Sequence, residues 1–114
     1  DAHGHPVGDE VLRTFAISVF ANIRGIDRFG RYGGEEFLLI LPETGPAAAV
    51  QMLDRLRGIV ADLDWSALSD GMAVTISAGV ATITADETAD SVLARADEAL
   101  YVAKEAGRNQ VACA

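Results

Sequence analysis

The chain has 114 residues, half of them hydrophobic, and a formal net charge of −8. This length suits one domain with a packed core. The acidic charge excludes general nucleic-acid binding, because it repels phosphates, so a phosphate ligand would need a local cluster of Lys, Arg or metal. The one cysteine, Cys113, predicts a reducing, cytoplasmic setting, and without a long apolar run we expect no membrane contact by this segment.

The first quarter of the chain predicts a loop followed by a helix. Residues 1–8 are polar and contain glycine, so we expect them to form a loop. Asp9 is typical of a helix start. Apolar residues then recur at helical spacing from Leu12 to Ile23, and Gly25 ends that pattern.

A hairpin is predicted next. Residues 28–32 form a short strand, Gly33-Gly34 is a turn signal, and the apolar run Phe37–Leu41 has the length of a strand buried on both faces. Two glycines at this tip would let a ligand approach the backbone closely.

A second helix and a third strand follow the hairpin. Pro46 suits the first turn of a helix whose apolar stripe reaches Val60. Residues 62–72 predict a loop with Trp65 tucked inward. Residues 74–80 alternate between apolar and polar, which indicates a strand with one apolar face.

The chain closes with a third helix and a short strand. The helix is predicted to begin near Asp90 or Ser91 and to be capped by Gly107, and a strand at residues 110–112 follows. This order indicates an α+β fold with a mainly antiparallel sheet covered by helices. No strand precedes the first helix, although a split βαβ arrangement needs one.

The hairpin tip carries two adjacent acids, Glu35 and Glu36. Successive side chains of a strand point to opposite faces, so regular geometry cannot aim both at one site. One of them could hold a hard cation such as Mg²⁺. The alternative is an ordinary Gly-Gly hairpin with solvated acids.

Two further groups of residues have both a structural and a functional interpretation. Lys104 and Arg108 end the last helix, either as partners of the helix dipole or as two cations for a triphosphate. Arg24 and Asp27 form either a surface ion pair or a grip for a guanine edge and a phosphate.

Taken together, these pieces resemble the GGDEF family of diguanylate cyclases. The resemblance runs from the first residue to about Val111 and is carried by four motifs. They are a D-x-x-G-H-x-x-G-D loop at residues 1–9, an R-Y-G-G-[DE]-E-F signature at 31–37, a V-T-x-S-x-G-V strand at 74–80, and an R-A-D-x-A-L-Y-x-A-K-x-x-G-R-N ending at 95–109.

The resemblance implies roles for the residues around the hairpin. Glu35 matches the acid that binds the metal, Mg²⁺ or Mn²⁺, and Glu36 matches a second acid that activity needs. Gly33 and Gly34 match glycines that border the GTP phosphates. Asp9 matches the acid that reads the guanine edge.

Other roles are implied for the basic residues. Lys104 and Arg108 match the phosphate-binding pair. Arg24 and Asp27 match an R-x-x-D inhibitory site for the product cyclic di-GMP. Arg55 resembles a basic residue of a neighbouring domain that completes that site.

The function implied is that of a cytoplasmic diguanylate cyclase, which condenses two GTP into cyclic di-GMP on a homodimer of ferredoxin-like, palm-type domains, with a covalently linked regulatory domain in the parent protein. Residues 1–114 would form a single GGDEF domain without its first central strand, of which only Asp1 would remain. That strand, which carries a second metal-binding Asp and a guanine-binding Asn, would be cut, disordered or supplied by another chain, so we expect this segment alone to be inactive. The alternatives are a non-catalytic module that binds cyclic di-GMP and GTP, and a dimerisation scaffold.

Overall fold

The computed structural model describes residues 4–114, with side chains from residue 7 onward. The chain divides into two compact units, Asp1–Thr44 and Gly45–Ala114, called here the N-terminal and C-terminal units. No helix within residues 4–114 is long and apolar enough to cross a membrane. The elements in chain order are α1 (Gly4–Phe20), β1 (Arg28–Gly33), β2 (Glu36–Ile40), α2 (Pro46–Asp62), a short 3-10 turn (Trp65–Ala67), β3 (Ala78–Val80), α3 (Ala89–Glu105) and β4 (Val111–Cys113).

Helix α1 differs from its prediction at both ends. It begins at Gly4 and not at Asp9, so residues 4–8 are helical, while residues 1–3 of the predicted loop lie outside the described residues. Pro6 is tolerated in the first turn because its missing N–H has no intrahelical acceptor there. The helix ends at Phe20. Just after this end, the side-chain Nδ2 of Asn22 donates to the Ser18 carbonyl (2.7 Å).

The predicted hairpin is present, and α1 packs on it through aromatic rings. β1 and β2 pair antiparallel, and the rings of Phe29 and Phe37 stack with centroids 5.2 Å apart. Phe15 of α1 meets both edge-on, at 5.9 and 5.0 Å. Such pairs add about 0.5–1.5 kcal/mol each beyond the area they bury.

Strand β2 is less buried than its apolar sequence predicts. It was expected to be buried on both faces, but its residues are half-buried and Ile40 is 53% exposed. Within the N-terminal unit, Phe15 of α1 contacts the rings of Phe29 and Phe37. The strand also begins one residue earlier than predicted, at Glu36.

Helix α2 and the turn after it agree with the sequence. Pro46 is the first helical residue, after an extended Gly45, and Leu56 and Val60 are buried. Trp65 is tucked inward as predicted, 2% exposed, and its indole Nε1 donates to the Val60 carbonyl (2.7 Å). This hydrogen bond satisfies the one polar atom of a large apolar side chain.

The sheet of the C-terminal unit differs from the prediction of a mainly antiparallel sheet. β3 and β4 pair in parallel, so the described residues form one antiparallel and one parallel two-stranded sheet. The physical reason is the connection: α3 is a crossover helix, and a crossover returns the chain in the same direction. The predicted strand 74–80 is shortened to Ala78–Val80, because no described strand forms a ladder with residues 74–77.

Gly79 of β3 lies in direct contact with the backbone of α3. A Cβ atom built on Gly79 would overlap the Ala96 carbonyl oxygen and the Leu100 nitrogen, and would lie 2.9 Å from the Leu100 Cα. All three atoms belong to the main chain of a helix and cannot move independently. Only glycine therefore permits this separation between strand and helix.

Helix α3 has well-defined ends. Thr88 caps its start by accepting from the Ser91 N–H (3.1 Å). At its end Gly107 adopts φ +123°, and the N–H groups of Gly107 and Arg108 donate to the carbonyls of Lys104 (3.4 Å) and Ala103 (3.0 Å). These two bonds are a Schellman motif, which agrees with the predicted glycine cap.

Gly79→Ala should strongly destabilise the C-terminal unit. We expect a loss of roughly 3 kcal/mol or more in the free energy of unfolding, because a rigid backbone has to move. Gly58→Ala is the matched control: Gly58 lies inside α2 with open space around it, so alanine should add about 0.5–1 kcal/mol through helix propensity. Urea unfolding followed by circular dichroism measures both, and an equal effect of the two substitutions would contradict the close contact.

Candidate functional site

The tip of the β1–β2 hairpin is a tight turn with open glycines. Gly34 adopts φ +51°, and neither Gly33 nor Gly34 has an atom within 4 Å of where a Cβ would lie. Arg31 fixes the turn, since its Nε and Nη2 donate to the Gly34 carbonyl (2.9 and 2.7 Å). The backbone at the tip is thus both held in place and accessible to a ligand.

The two acids of the hairpin occupy different positions. Glu35 lies in the turn and is exposed, whereas Glu36 is the first residue of β2, half-buried and paired with Gly33. The register shifts between Arg31 and Gly33, so the tip is not a regular ladder. Because Glu35 lies in the turn and Glu36 in the strand, the alternation along a strand does not decide how the two carboxylates are placed relative to each other.

A metal at this site would meet the carboxylates of Glu35 and Glu36, which occupy different positions in the hairpin. Among the described residues, no group of three His, Cys, Asp or Glu side chains could hold an ion. Mg²⁺ is commonly held by one or two carboxylates together with substrate phosphates. Glu35 fits that pattern as one ligand of a phosphate-bound cation, and not as part of a protein cage.

Arg24 and Asp27 form a dense polar cluster in the N-terminal unit. Arg24 Nη2 donates to Asp27 Oδ1 (2.8 Å), and its Nε lies 3.2 Å from both carboxylate oxygens. The Arg24 N–H also donates to Asp27 Oδ2 (2.8 Å). Nη2 further donates to the Pro42 carbonyl (2.9 Å) and to Thr44 Oγ1 (2.6 Å).

The cluster is more than the exposed ion pair that the structural interpretation suggested. The Asp27 side chain is 0% exposed, although 47% of the Arg24 side chain is exposed. The side-chain hydrogen bond from Arg24 holds the pKa of Asp27 below its usual value, and the same bond raises the pKa of Arg24. Both groups therefore stay charged at every ordinary pH, and the Arg24 side chain remains partly exposed although Asp27 engages it.

A cleft of about 360 Å³ opens beside this cluster. Arg24, Asp27 and Arg28 supply polar groups to its wall, and Phe20 and Phe29 supply apolar surface. Flat rings pack well on apolar walls, and polar edges pair with charged groups. The cleft therefore suits a ring with hydrogen-bonding edges.

The predicted phosphate pair lies in the C-terminal unit. Lys104 is half-buried in the last turn of α3, and Arg108 is exposed just after the Schellman motif, with φ +63°. Arg55, the predicted completing residue of the inhibitory site, is exposed on α2. Lys104, Arg108 and Arg55 therefore all belong to the C-terminal unit.

The remaining predicted residues belong to the N-terminal unit. Asp9 is exposed inside α1, so its predicted part in starting the helix is wrong, while its guanine-reading role stays a prediction. The hairpin residues and the Arg24–Asp27 pair lie in this unit as well. Roles for Thr44 and Pro42 were missed, because partners 18 and 20 residues from Arg24 leave no local signal.

A second ion pair, also missed from the sequence, anchors the start of α3. Arg95 Nε donates to Glu87 Oε2 (2.7 Å), and its Nη2 donates to the Thr82 carbonyl (2.6 Å). Glu87 also accepts from Ser91 Oγ (2.9 Å). The hydrogen bond from Arg95 lowers the pKa of Glu87 to about 2. The eight-residue separation spans a helix boundary, so no helical spacing revealed the pair.

The geometry defines a class: an α+β chain with an acidic glycine hairpin and basic groups suited to phosphates. Comparison with known proteins gives the family. The model of the family described as "Diguanylate cyclase, GGDEF domain" matches residues 1–110. The chain belongs to the GGDEF family, as its motifs predicted.

Similar sequences are found among known bacterial proteins. Response regulator PleD of Caulobacter vibrioides is 45% identical over 114 residues, covering 97% of this chain and 25% of PleD. Diguanylate cyclase DgcP of Pseudomonas aeruginosa is 39% identical over 111 residues, covering 97% of this chain and 16% of DgcP. The chain thus spans a quarter or less of these relatives.

Solved structures confirm the predicted fold class. Diguanylate cyclase SiaD of Pseudomonas aeruginosa, in complex with its activator SiaC, matches with a TM-score of 0.90 at 40% identity, over 97% of this chain and 43% of that one. The coiled-coil and GGDEF domain of DgcB from Caulobacter crescentus, in complex with c-di-GMP, matches with a TM-score of 0.89 at 34% identity, over 97% and 60%. The fold is that of GGDEF cyclase domains.

The Glu87–Arg95 pair predicts a defined pH dependence of stability. Because folding lowers the pKa of Glu87 from 4.5 to about 2, the pair stabilises the fold fully above pH about 4.5 and loses its effect as the pH falls towards 2. Glu87→Gln should therefore unfold more easily than the wild type near neutral pH, and the difference should vanish near pH 2.

Urea unfolding at several pH values measures this difference. Glu98→Gln is the control, because Glu98 is exposed on α3 and its replacement by Gln removes the same charge. The difference in free energy of unfolding between Glu98→Gln and the wild type should be the same at every pH. A Glu87→Gln deficit that does not change between pH about 5 and 2 would contradict the ion pair.

Proposed function

We propose that this domain belongs to a diguanylate cyclase that condenses two GTP into cyclic di-GMP and releases two pyrophosphates. In each of two displacements, a 3′-hydroxyl oxygen of one GTP forms a bond to the α-phosphorus of the other. The bond from that phosphorus to the pyrophosphate breaks, and the hydroxyl proton leaves to solvent. No oxidant or further reactant is needed.

The observation that carries the proposal is the accessible hairpin tip. Gly33 and Gly34 expose backbone that phosphates can approach without meeting a side chain, and Glu35 lies next to them. Arg31 holds the Gly34 carbonyl, so the tip is ordered before a ligand arrives. An ordinary solvated hairpin needs neither property.

A divalent cation would supply charge neutralisation on the phosphates, and Glu35 would hold it. The protein's own contribution is positioning. Asp9 would orient the guanine, and Lys104 and Arg108 would bind the triphosphate oxygens, the first as a point charge and the second as a fork. The acidic chain otherwise repels phosphates, so these cations carry the affinity.

The active form would be a homodimer of domains in the cytoplasm. One domain binds one GTP, so it provides half of the reacting groups, and a second domain has to face it. A linked regulatory domain would control this encounter. The short share of PleD and DgcP that the chain spans agrees with additional domains in such proteins.

Cyclic di-GMP would inhibit the enzyme by binding at Arg24 and Asp27. The buried carboxylate and its guanidinium form a charged fork, and the adjacent cleft offers apolar wall for a guanine ring. Arg55 of a neighbouring domain would complete the site. The DgcB structure in complex with c-di-GMP supports binding of this dinucleotide within the family.

The second candidate is a module that binds cyclic di-GMP and GTP without turnover. The preformed Arg24–Asp27 cluster favours it, because that cluster needs no metal. The next experiment separates the two functions.

Glu35→Gln in the natural full-length protein should abolish turnover of GTP, with a loss of roughly a hundredfold or more. The amide keeps the shape of the side chain but lacks the charge that holds a cation. Binding of cyclic di-GMP, measured by isothermal titration, should change less than about twofold, because the hydrogen bonds of Arg24 are made with Asp27, Pro42 and Thr44 and not with Glu35.

Glu98→Gln, an exposed acid of α3 without an assigned role, is the control and should leave turnover unchanged. If the wild-type protein makes no product from GTP and Mg²⁺ while it binds cyclic di-GMP tightly, the enzyme proposal fails. The binding module then stands.

Removing the Arg24–Asp27 fork should relieve product inhibition. Arg24→Ala alone would leave the buried Asp27 carboxylate without its main partner, so it is combined with Asp27→Asn. We expect cyclic di-GMP to bind roughly 10- to 150-fold more weakly, with turnover at low product largely intact. Arg13→Ala on α1, whose side chain is 72% exposed, is the control. An unchanged inhibition constant would remove this site from the proposal.

A further inference from the structure

The link between α3 and β4 has an unusual backbone. Gly107, Arg108 and Asn109 follow one another with φ of +123°, +63° and +49°. Glycine adopts such angles readily, and asparagine tolerates them, but arginine does so at a cost. A left-handed arginine persists only where surrounding contacts hold it.

Asn109 is the last residue of the link formed by residues 107–109, and its contacts hold that link in place. Its N–H donates to Ser77 Oγ (3.1 Å), in the segment before β3. Its Oδ1 accepts from Nη1 of Arg57 on α2 (3.1 Å), and Arg57 is in turn oriented by Asp54, to whose Oδ1 its Nε donates (2.7 Å). Residues from two other parts of the C-terminal unit thus converge on Asn109.

The main chain of Arg108 is fixed as well. Its N–H donates to the Ala103 carbonyl (3.0 Å), and its own carbonyl accepts from Gln110 Nε2 (3.0 Å). The side chain of Arg108 is nevertheless exposed. The backbone therefore sets the direction of the Arg108 Cα–Cβ bond, from which an exposed side chain extends.

We propose that Asn109, held by Arg57 and Ser77, is a positioning residue that keeps Arg108 in its left-handed conformation and so directs its guanidinium at the substrate triphosphate. The inference rests on the proposed function, in which Arg108 binds the GTP phosphates. Asn109 acts through Arg108 and does not itself touch substrate. If the Arg108 side chain already points towards the triphosphate before binding, it loses less conformational freedom on binding, which strengthens the contact.

The test uses the natural full-length protein, Mg²⁺ and a GTP analogue with a methylene group in place of the oxygen between its α- and β-phosphates, titrated calorimetrically; this analogue cannot release pyrophosphate. Asn109→Ala removes the amide and disfavours the left-handed angle, so the dissociation constant should rise roughly tenfold. Asn109→Gly keeps the angle but loses the Arg57 contact, so it should recover most of the affinity. Arg57→Met, which leaves the link's own sequence intact, should give roughly a threefold loss.

A double-mutant cycle separates positioning from a general effect on the fold. In an Arg108→Ala background, Asn109→Ala should cause no further loss, because its effect passes through Arg108. Losses that simply add would overturn the inference and assign Asn109 a structural role alone. Glu43→Ala, at another left-handed position (φ +54°) outside the C-terminal unit, should bind the analogue like the wild type.

Two failures can be told apart. If Arg108→Ala binds the analogue as tightly as the wild type, the phosphate role of Arg108 fails, and the inference falls with it. If Arg108→Ala binds weakly while Asn109→Ala and Arg57→Met bind normally, only the positioning role is overturned. Thermal unfolding of each variant verifies that the proteins compared are folded.

Discussion

The contact between Gly79 and α3 is the constraint on which the C-terminal unit depends. Because β3 has no side chain at this point, the helix backbone lies directly on the strand. A helix this close has little freedom to slide or rotate, because its backbone contacts the strand directly and no layer of side chains lies between them. The position of the last turn of α3, and with it Lys104, follows from a glycine 25 residues earlier in the chain.

Electrostatics then determine which cations remain available for phosphates. In an acidic chain, several arginines are already engaged with protein acceptors: Arg24 with Asp27, Arg95 with Glu87 and Arg57 with Asp54. These pairs organise turns and helix starts. Arg108 differs, since its backbone is bonded while its side chain is exposed. A local positive group on an otherwise repelling surface can select phosphate ligands without attracting nucleic acid.

The parts that sequence predicts well are those with local causes. The hairpin at Gly33-Gly34 and the cap at Gly107 follow from backbone angles that few residues adopt, and α2 begins at Pro46 for a similar reason. The motifs also located the acids of the hairpin and the basic pair. Each of these signals occupies a few adjacent residues, so no knowledge of the fold is needed to recognise it.

The failures have non-local causes. Residues 74–77 alternate between apolar and polar side chains, as a strand would. A strand forms only where another strand pairs with it, however, and the sequence does not reveal that partner. The parallel direction of β4 depends on how α3 packs, which one glycine contact determines. Asp9 looked like a helix start because acids favour that position, yet Pro6 fits a first turn equally well. The partners of Arg24 at Pro42 and Thr44 lie beyond any periodicity.

The two candidate sites of the N-terminal unit are built from separate sets of hydrogen bonds. The hairpin tip depends on Arg31 and the Gly34 carbonyl, whereas the Arg24–Asp27 cluster also involves Thr44. The two sets of hydrogen bonds have no residue in common. Changes in one site therefore need not alter the geometry of the other, because contacts that share no partner act roughly additively. Under the proposed function, a domain of this design could lose turnover and keep binding of cyclic di-GMP, or the reverse.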